Sequence, residues 1–204
     1  MGTIYTIGYS SYSIEDFVNT LISDEINALI DVRSSPYSKM YSEFNKDNLK
    51  RYLNSKSIYY VFLGEECGAR ASENYCYRNG AVDFNCVSDL PRFKAGIKRI
   101  TDGASKFNVA LMCAEKDPIT CHRTILVARH LKKYDYPIKH ILANNGIETH
   151  EQLEKRLLKL FDLDQSHFYK TKNELLKEAY DLQAAKIAYR PAEQEAEVHE
   201  VDYD

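Results

Sequence analysis

Residues 109–131 read VALMCAEKDPITCHRTILVARHL. Two thiols, a carboxylate, an imidazole and a guanidinium stand here between two apolar segments, as Cys113, Glu115, Cys121, His122 and Arg123. Such groups are costly to bury without partners, so they belong at a cleft where they are solvated, paired or used. Glu115 can act as a general acid or base. His122 can do the same, since its free pKa lies near neutrality, or it can close a helix end on a backbone carbonyl. A thiol at a helix start beside His122 and Arg123 has its pKa drawn down, which makes Cys121 a candidate nucleophile. Cys113 reads as a small core residue at a strand end. Cys113, Cys121 and His122 can also supply metal ligands, with Cys67 in reach. Their spacing matches no zinc signature, so neither a metal nor a cofactor is expected.

Arg123 and, further upstream, Arg33 can each place a two-pronged contact on a phosphate or carboxylate. An arginine at a helix N-terminus opposes the helix dipole, so it needs an acidic neighbour or an anionic ligand; Glu115 and Asp31 are the candidates. The same residues have structural readings. Asp31 and Arg33 can simply pin a loop, and Arg123 with Glu115 can form a buried ion pair. Tyr9, Ser10, Ser38 and Gly64 fall in the loops after neighbouring strands and join Arg33 and Arg123 as candidate substrate-binding residues. Glu115, His122, Cys121 and Asp31 are the candidate catalytic ones.

These residues need a scaffold. Residues 3–8, 26–32, 57–63, 107–113 and 136–142 are short apolar or β-branched runs. The second is apolar on both faces, as a buried parallel strand is. Helical patterns lie between them. Ser13 caps the first, residues 45–55 form a short one, one opens at Asp89-Leu90-Pro91 and stops at Gly103, and one spans 120–133. Alternating strands and helices predict an α/β fold of three layers, Rossmann-like and doubly wound, with a mainly parallel five-stranded sheet in the order 3-2-1-4-5. Ligands bind such sheets beyond the carboxyl ends of the strands, where the winding reverses. That places the crevice between the first and fourth strands. Residues 64–89 read as a long irregular loop. Capping boxes at Thr149/Gln152 and Thr171/Glu174 open two extra C-terminal helices.

Three segments follow: an α/β domain over 1–146, a helical extension over 147–190, and an acidic tail over 191–204 that reads as disordered. The tail carries six acids and no Lys or Arg. Net charge is −3, and removing the tail leaves 27 basic against 24 acidic residues. That is too mild a basic excess for an obligate nucleic-acid binder. Five cysteines, with no C-x-x-C pair and no leader-like start, point to the cytoplasm and reduced thiols. No run of about 20 apolar residues is present, so no membrane span is expected.

The motifs TIGYS, DVRSSPYS, FLGEECGAR, LMCAEKDPITCHR and KHI resemble, in order and spacing, those of family 488 of the domains of unknown function. The likeness runs from Thr3 to Ile141. It implies an α/β domain with these motifs at one site, and no established reaction. Asp31/Arg33, Glu115 and Cys121-His122-Arg123 match the family pattern. Tyr9 stands where the family usually has histidine, and LGEECGAR replaces a glycine-rich stretch, so Cys67 is not a shared feature.

Three functions compete. The first is an enzyme acting on a small anionic substrate, such as a nucleotide or nucleic-acid end, by general acid/base chemistry. The second is a non-catalytic module binding a nucleotide or nucleic acid, because SPYSKMYSEFNKDNLKRYLNSKSIYY interleaves aromatic and basic residues. The same stretch reads more simply as an amphipathic helix with solvated charges. The third is thiol or metal chemistry at Cys121. The leucine stripes of the C-terminal helices need a surface to cover them, on the domain or on a second copy in a homodimer.

Overall fold

Residues 4–8, IYTIG, form a strand, β1 (Ile4–Gly8), buried along its whole length. In the computed structural model, which describes residues 2–165 and 169–191, it lies inside a six-stranded sheet. The other strands are β2 (Ala28–Asp31), β3 (Tyr59–Phe62), β6 (Val109–Cys113), β7 (Ile138–Ile141) and β8 (Ile147–Thr149). Two short strands, β4 (Tyr77–Arg78) and β5 (Ala81–Val82), form a separate antiparallel hairpin. All sheet pairs are parallel except β7 with the edge strand β8.

The sheet order is β3-β2-β6-β1-β7-β8. This corrects the expected order in two ways. The fourth parallel strand, β6, sits between β2 and β1 rather than outside β1, and a sixth strand is present. Both β1 and β6 are buried on both faces. Either therefore satisfies a central position, and their apolar pattern does not distinguish the two orders. The consequence is local. The end of β2 lies beside the end of β6, with Asp31 opposite Met112.

Helices cover both faces. α1 (Ile14–Ser23) and α2 (Lys46–Ser55) bury Phe17, Leu21, Leu49 and Leu53 against Tyr5, Leu29 and Met112. On the other face, α5 (Pro91–Ala104) buries Phe93, Ile97 and Ile100 with Ile30 and Leu111. Ser13 caps α1 through its hydroxyl, and Pro91 occupies the first turn of α5. Residues 64–89, expected as a loop, hold α3 (Gly64–Cys67), the hairpin and α4 (Phe84–Asp89). Cys76 and Cys86, ten residues apart, are joined in a disulfide. The expectation that every thiol is reduced therefore fails, and the cytoplasmic reading loses its cysteine argument. No helix among the described residues is long and apolar enough to cross a membrane.

Residues 120–133, expected as one α-helix, are wound in pieces: a π-helical turn Arg123–Ala128, a short α6 (Arg129–Leu131), and a 3-10 turn Lys132–Tyr134. Beyond the sheet, α7 (His150–Leu160) and α8 (Lys172–Ile187) open with the Thr149 and Thr171 capping boxes. A buried polar chain fastens them. Thr6 Oγ1 meets His140 Nδ1 at 2.8 Å, His140 Nε2 meets His150 Nδ1 at 3.0 Å, and Tyr180 Oη lies 3.1 Å from His150 Nε2. Gln183 Nε2 donates to the carbonyl of Ile119 at 2.8 Å, tying α8 to the loop after β6. Of the acidic tail, only Pro191 lies within the described residues.

Candidate functional site

The loop after β6 carries the reactive groups. Tyr9 and Ser10, just past β1, donate their backbone N–H to the carbonyls of Cys113 and Ala114. A Cβ at Gly8 would come within 1.8 Å of the Glu115 carbonyl oxygen, so only glycine lets the two strand ends approach this closely. Arg123, 0% exposed, reaches back and donates to the Glu115 carbonyl at 2.6 Å and to the Lys116 carbonyl at 3.3 Å. Its Nε, also buried, has no partner among the described residues. Arg123 therefore braces the loop from beneath.

Held this way, four donor atoms converge. One ligand atom each from Cys113, Glu115, Cys121 and His122 lies within 4.8 Å of the others. Cys121 Sγ lies 2.8 Å from Glu115 Oε2, in hydrogen-bond contact. His122 Nδ1 lies 3.6 Å from Cys113 Sγ and 3.9 Å from Cys121 Sγ. His122 Nε2 is 2.9 Å from the carbonyl of Val32, the residue that follows β2. A carbonyl only accepts, so Nε2 carries a hydrogen and Nδ1 faces the sulfurs. The helix-end histidine and the site histidine of the sequence reading are one residue using its two nitrogens.

The electrostatics follow from these contacts. Burial works against the Cys121 thiolate, but the hydrogen bond from Cys113 and the charges of Arg123 and His122 outweigh it and hold Cys121 well below the ordinary thiol range. Donation to Cys121, with burial, pushes Cys113 well up. Desolvation and the neighbouring Cys121 sulfur raise Glu115, although as a residue it is exposed. Burial pulls the His122 imidazolium down, yet its bonds to Cys121 and Val32 leave it above its usual value.

Beside this cluster opens a crevice of about 280 Å³. Tyr9, Arg33, Cys113, Glu115 and His122 line it, together with Ser34, Ser35, Arg70, Thr120 and Tyr189. Arg33, 5% exposed, is gripped by Asp31 through Nε at 2.9 Å and Nη2 at 2.6 Å, and Nη2 also donates to the Phe44 carbonyl at 2.9 Å. Tyr60 donates to the same Asp31 carboxylate at 2.7 Å. The guanidinium sits 5.0 Å from the centre of the Tyr9 ring, which stacks on Phe44 at 4.6 Å. Its remaining nitrogen, Nη1, is buried without a protein partner among the described residues. Arg70 packs over the ring of Tyr189 at 4.5 Å. Tyr189 is held there by its carbonyl, which accepts from Val82 of the hairpin at 3.0 Å.

The candidate residues thus separate. Tyr9, Arg33, Glu115 and His122 share the crevice. Cys121, 1% exposed, touches Glu115 from behind, and Asp31, 0% exposed, supports Arg33. Arg123 lies beneath the loop. Ser10 and Ser38 lie off the crevice, and the Ser38 hydroxyl accepts from the backbone of Met40 and Tyr41. Gly64 starts α3, where a Cβ would sit 2.0 Å from the Arg33 carbonyl oxygen. Cys113, read as core, faces the crevice. Arg70, Ser34, Ser35 and Tyr189 were not singled out in sequence, although Ser34 and Ser35 stand beside Arg33 in DVRSSPYS. In the basic-aromatic stretch, Lys46 lies over the Phe62 ring, Lys56 over Tyr52, and Arg51 bonds Asn48 of its own helix. Those cations are engaged within the protein.

Fold and site together define an α/β protein with a mostly parallel sheet and a thiol–carboxylate–imidazole cluster beside a crevice at its carboxyl edge. The chain belongs to the family described as Domain of unknown function DUF488, which it matches over residues 13–130, more than half of its length. No curated protein and no solved structure matches it.

Proposed function

We propose that the crevice binds a small anionic ligand, a phosphorylated metabolite or nucleotide, and presents it to Glu115 for general acid/base chemistry with His122 beside it. One observation carries the reading. Arg33 lines the crevice with a buried Nη1 that has no partner among the described residues. A buried donor without an acceptor is costly, and an anion oxygen supplies the acceptor. Asp31 neutralises the Arg33 charge, so Arg33 acts as an oriented donor, and Arg70 adds the net positive charge. Tyr189, half-buried on the same wall, offers aromatic surface for a planar group. At about 280 Å³ the crevice falls just below the range for drug-sized ligand sites, which begins at about 300 Å³. It suits one nucleotide or less, and a nucleic-acid duplex does not fit.

The test is a thermal-shift screen of nucleotides and phosphorylated metabolites, followed by calorimetry on the best ligand. Arg70→Ala should weaken binding while lowering the melting temperature of the free protein by no more than about 4 °C, because Arg70 is exposed and its contact with the Tyr189 ring is worth about 0.5–1 kcal/mol. Glu115→Gln should keep ligand affinity and lose turnover. A screen without any stabilising anion, or an Arg70→Ala variant that binds as well as wild type, refutes the reading.

A further inference from the structure

We infer that Cys113, Glu115, Cys121 and His122 form a binding site for a single zinc-class divalent metal ion. The inference shares Glu115 and His122 with the proposed acid/base chemistry but none of the anion contacts of Arg33 and Arg70, so metal binding and anion binding stand or fail in separate measurements.

The donor set is two thiols, one imidazole and one carboxylate, the combination that selects zinc over calcium or magnesium. All four atoms already lie within 4.8 Å of one another. Tetrahedral zinc, with about 2.3 Å to sulfur and about 2.0–2.1 Å to nitrogen, separates sulfur and nitrogen by about 3.6 Å. The two sulfur–nitrogen separations here are 3.6 Å and 3.9 Å, so the imidazole nitrogen already stands near coordinating spacing from each sulfur.

A second observation concerns the histidine. Its Nε2–H is committed to the Val32 carbonyl at 2.9 Å, which fixes the ring with Nδ1 facing the sulfurs, the nitrogen that ligates a metal once any proton on it is displaced. Outer-sphere support of this kind is how metal-ligating imidazoles are oriented. Charge is also matched. Two thiolates and a carboxylate around a divalent ion leave one excess negative charge, and the buried guanidinium of Arg123 lies against the same loop.

The ligands come from rigid parts: Cys113 ends β6, and Cys121 and His122 precede the π-helical turn. Cys113, Glu115 and His122 line the crevice, which provides the entry path. Glu115, the one exposed member, is the ligand that can give way to an incoming oxygen. The spacing of Cys113, Cys121 and His122 hid the site in sequence because the fourth donor is a carboxylate two residues past the strand.

The experiment uses the full chain, reduced and stripped with a chelator, and titrates it with Co²⁺ and then Zn²⁺. The expected result is one equivalent of cobalt with tetrahedral d–d bands and thiolate-to-metal charge transfer, displaced by zinc, and a higher melting temperature with zinc. Cys113→Ser and Cys121→Ser should each reduce the charge-transfer band and weaken binding by about 10-fold or more, while Cys67→Ser changes neither. Glu115→Gln, which leaves both thiols in place, should keep the charge transfer and weaken binding, so the inference stays testable if a cysteine variant does not fold. The inference is overturned if wild-type protein shows no thiolate–cobalt band. It is also overturned if that band survives unchanged in the Cys113→Ser/Cys121→Ser double variant, or if the two cysteines remain disulfide-bonded under reductant.

Discussion

Replacing Gly8 or Gly103 by alanine adds the same methyl group and should move stability in opposite directions. At Gly8, aligned with Cys113 in the β1–β6 register, the new Cβ would lie 1.8 Å from the Glu115 carbonyl oxygen and 3.3 Å from Arg123 Nη1. The obstructing atom is backbone, so relief requires moving the loop that carries Glu115, and Arg123 holds that loop at two carbonyls. Overpacking costs about 1–3 kcal/mol where neighbours can yield, and a clash this deep belongs at about 3 kcal/mol or above. At Gly103, in α5, the nearest atom is Val109 Cγ1 at 3.9 Å, an ordinary contact. Alanine there gains up to about 1 kcal/mol from helix propensity. For a chain of this length 1 kcal/mol moves the melting temperature by about 2–4 °C. Gly8→Ala should therefore melt about 6–12 °C below wild type and Gly103→Ala up to about 4 °C above it, read by circular dichroism. A Gly8→Ala protein that melts with wild type would refute the close approach of the two strand ends on which the site is built.

Tyr60→Phe removes the 2.7 Å hydrogen bond to the buried Asp31 carboxylate and should destabilise by about 1.5–3 kcal/mol in chemical denaturation, whereas Tyr59→Phe, exposed on the same strand, should not. Acid should destabilise the protein from about pH 6.5 downward. Burial draws His140 and His150 below their ordinary value of 6.5, with His150 and Arg123 also acting against a proton on His140, and Lys132 against one on His150. The unfolded chain then takes up protons that the folded one refuses. Their stability is complete above 6.5 and falls by up to about 1.4 kcal/mol per pH unit for each ring as pH drops. The paired carboxylates Asp117 and Asp181, held below their ordinary 3.8, are lost only at lower pH. A His150→Gln variant should show a shallower decline between pH 6.5 and 5 in a pH series of melts; an unchanged slope contradicts the assignment.

Much of the fold was legible because the signals were local. The strands are apolar runs, Ser13, Pro91, Thr149 and Thr171 mark helix starts, and the βα alternation follows from both. Sheet order was not legible, because pairing β6 between β2 and β1 is a long-range choice between two equally apolar strands. The edge strand β8 follows Asn145-Gly146, a local hairpin signal, and Asn145 has the positive φ of 60° such a turn needs. The Cys76–Cys86 bond lies in a segment whose spacing carries no signature. At the site, Cys121, His122 and Glu115 were recognisable because they crowd one loop. Arg70 and Tyr189 were not, since the last residue of the third motif and one beyond α8 meet only in three dimensions. Arg123 shows the converse: its type and place suggested an anion clamp, and the fold uses its donors on backbone carbonyls instead.

The central claim is that the crevice receives an anion through Arg33, and a crystal structure of the protein grown with the best phosphorylated ligand from the screen tests it most directly. The account predicts a phosphate oxygen within about 3 Å of Arg33 Nη1, with Arg70 closing over it. Phosphate bound elsewhere on the molecule, with Arg33 Nη1 turned onto a protein acceptor, would contradict it.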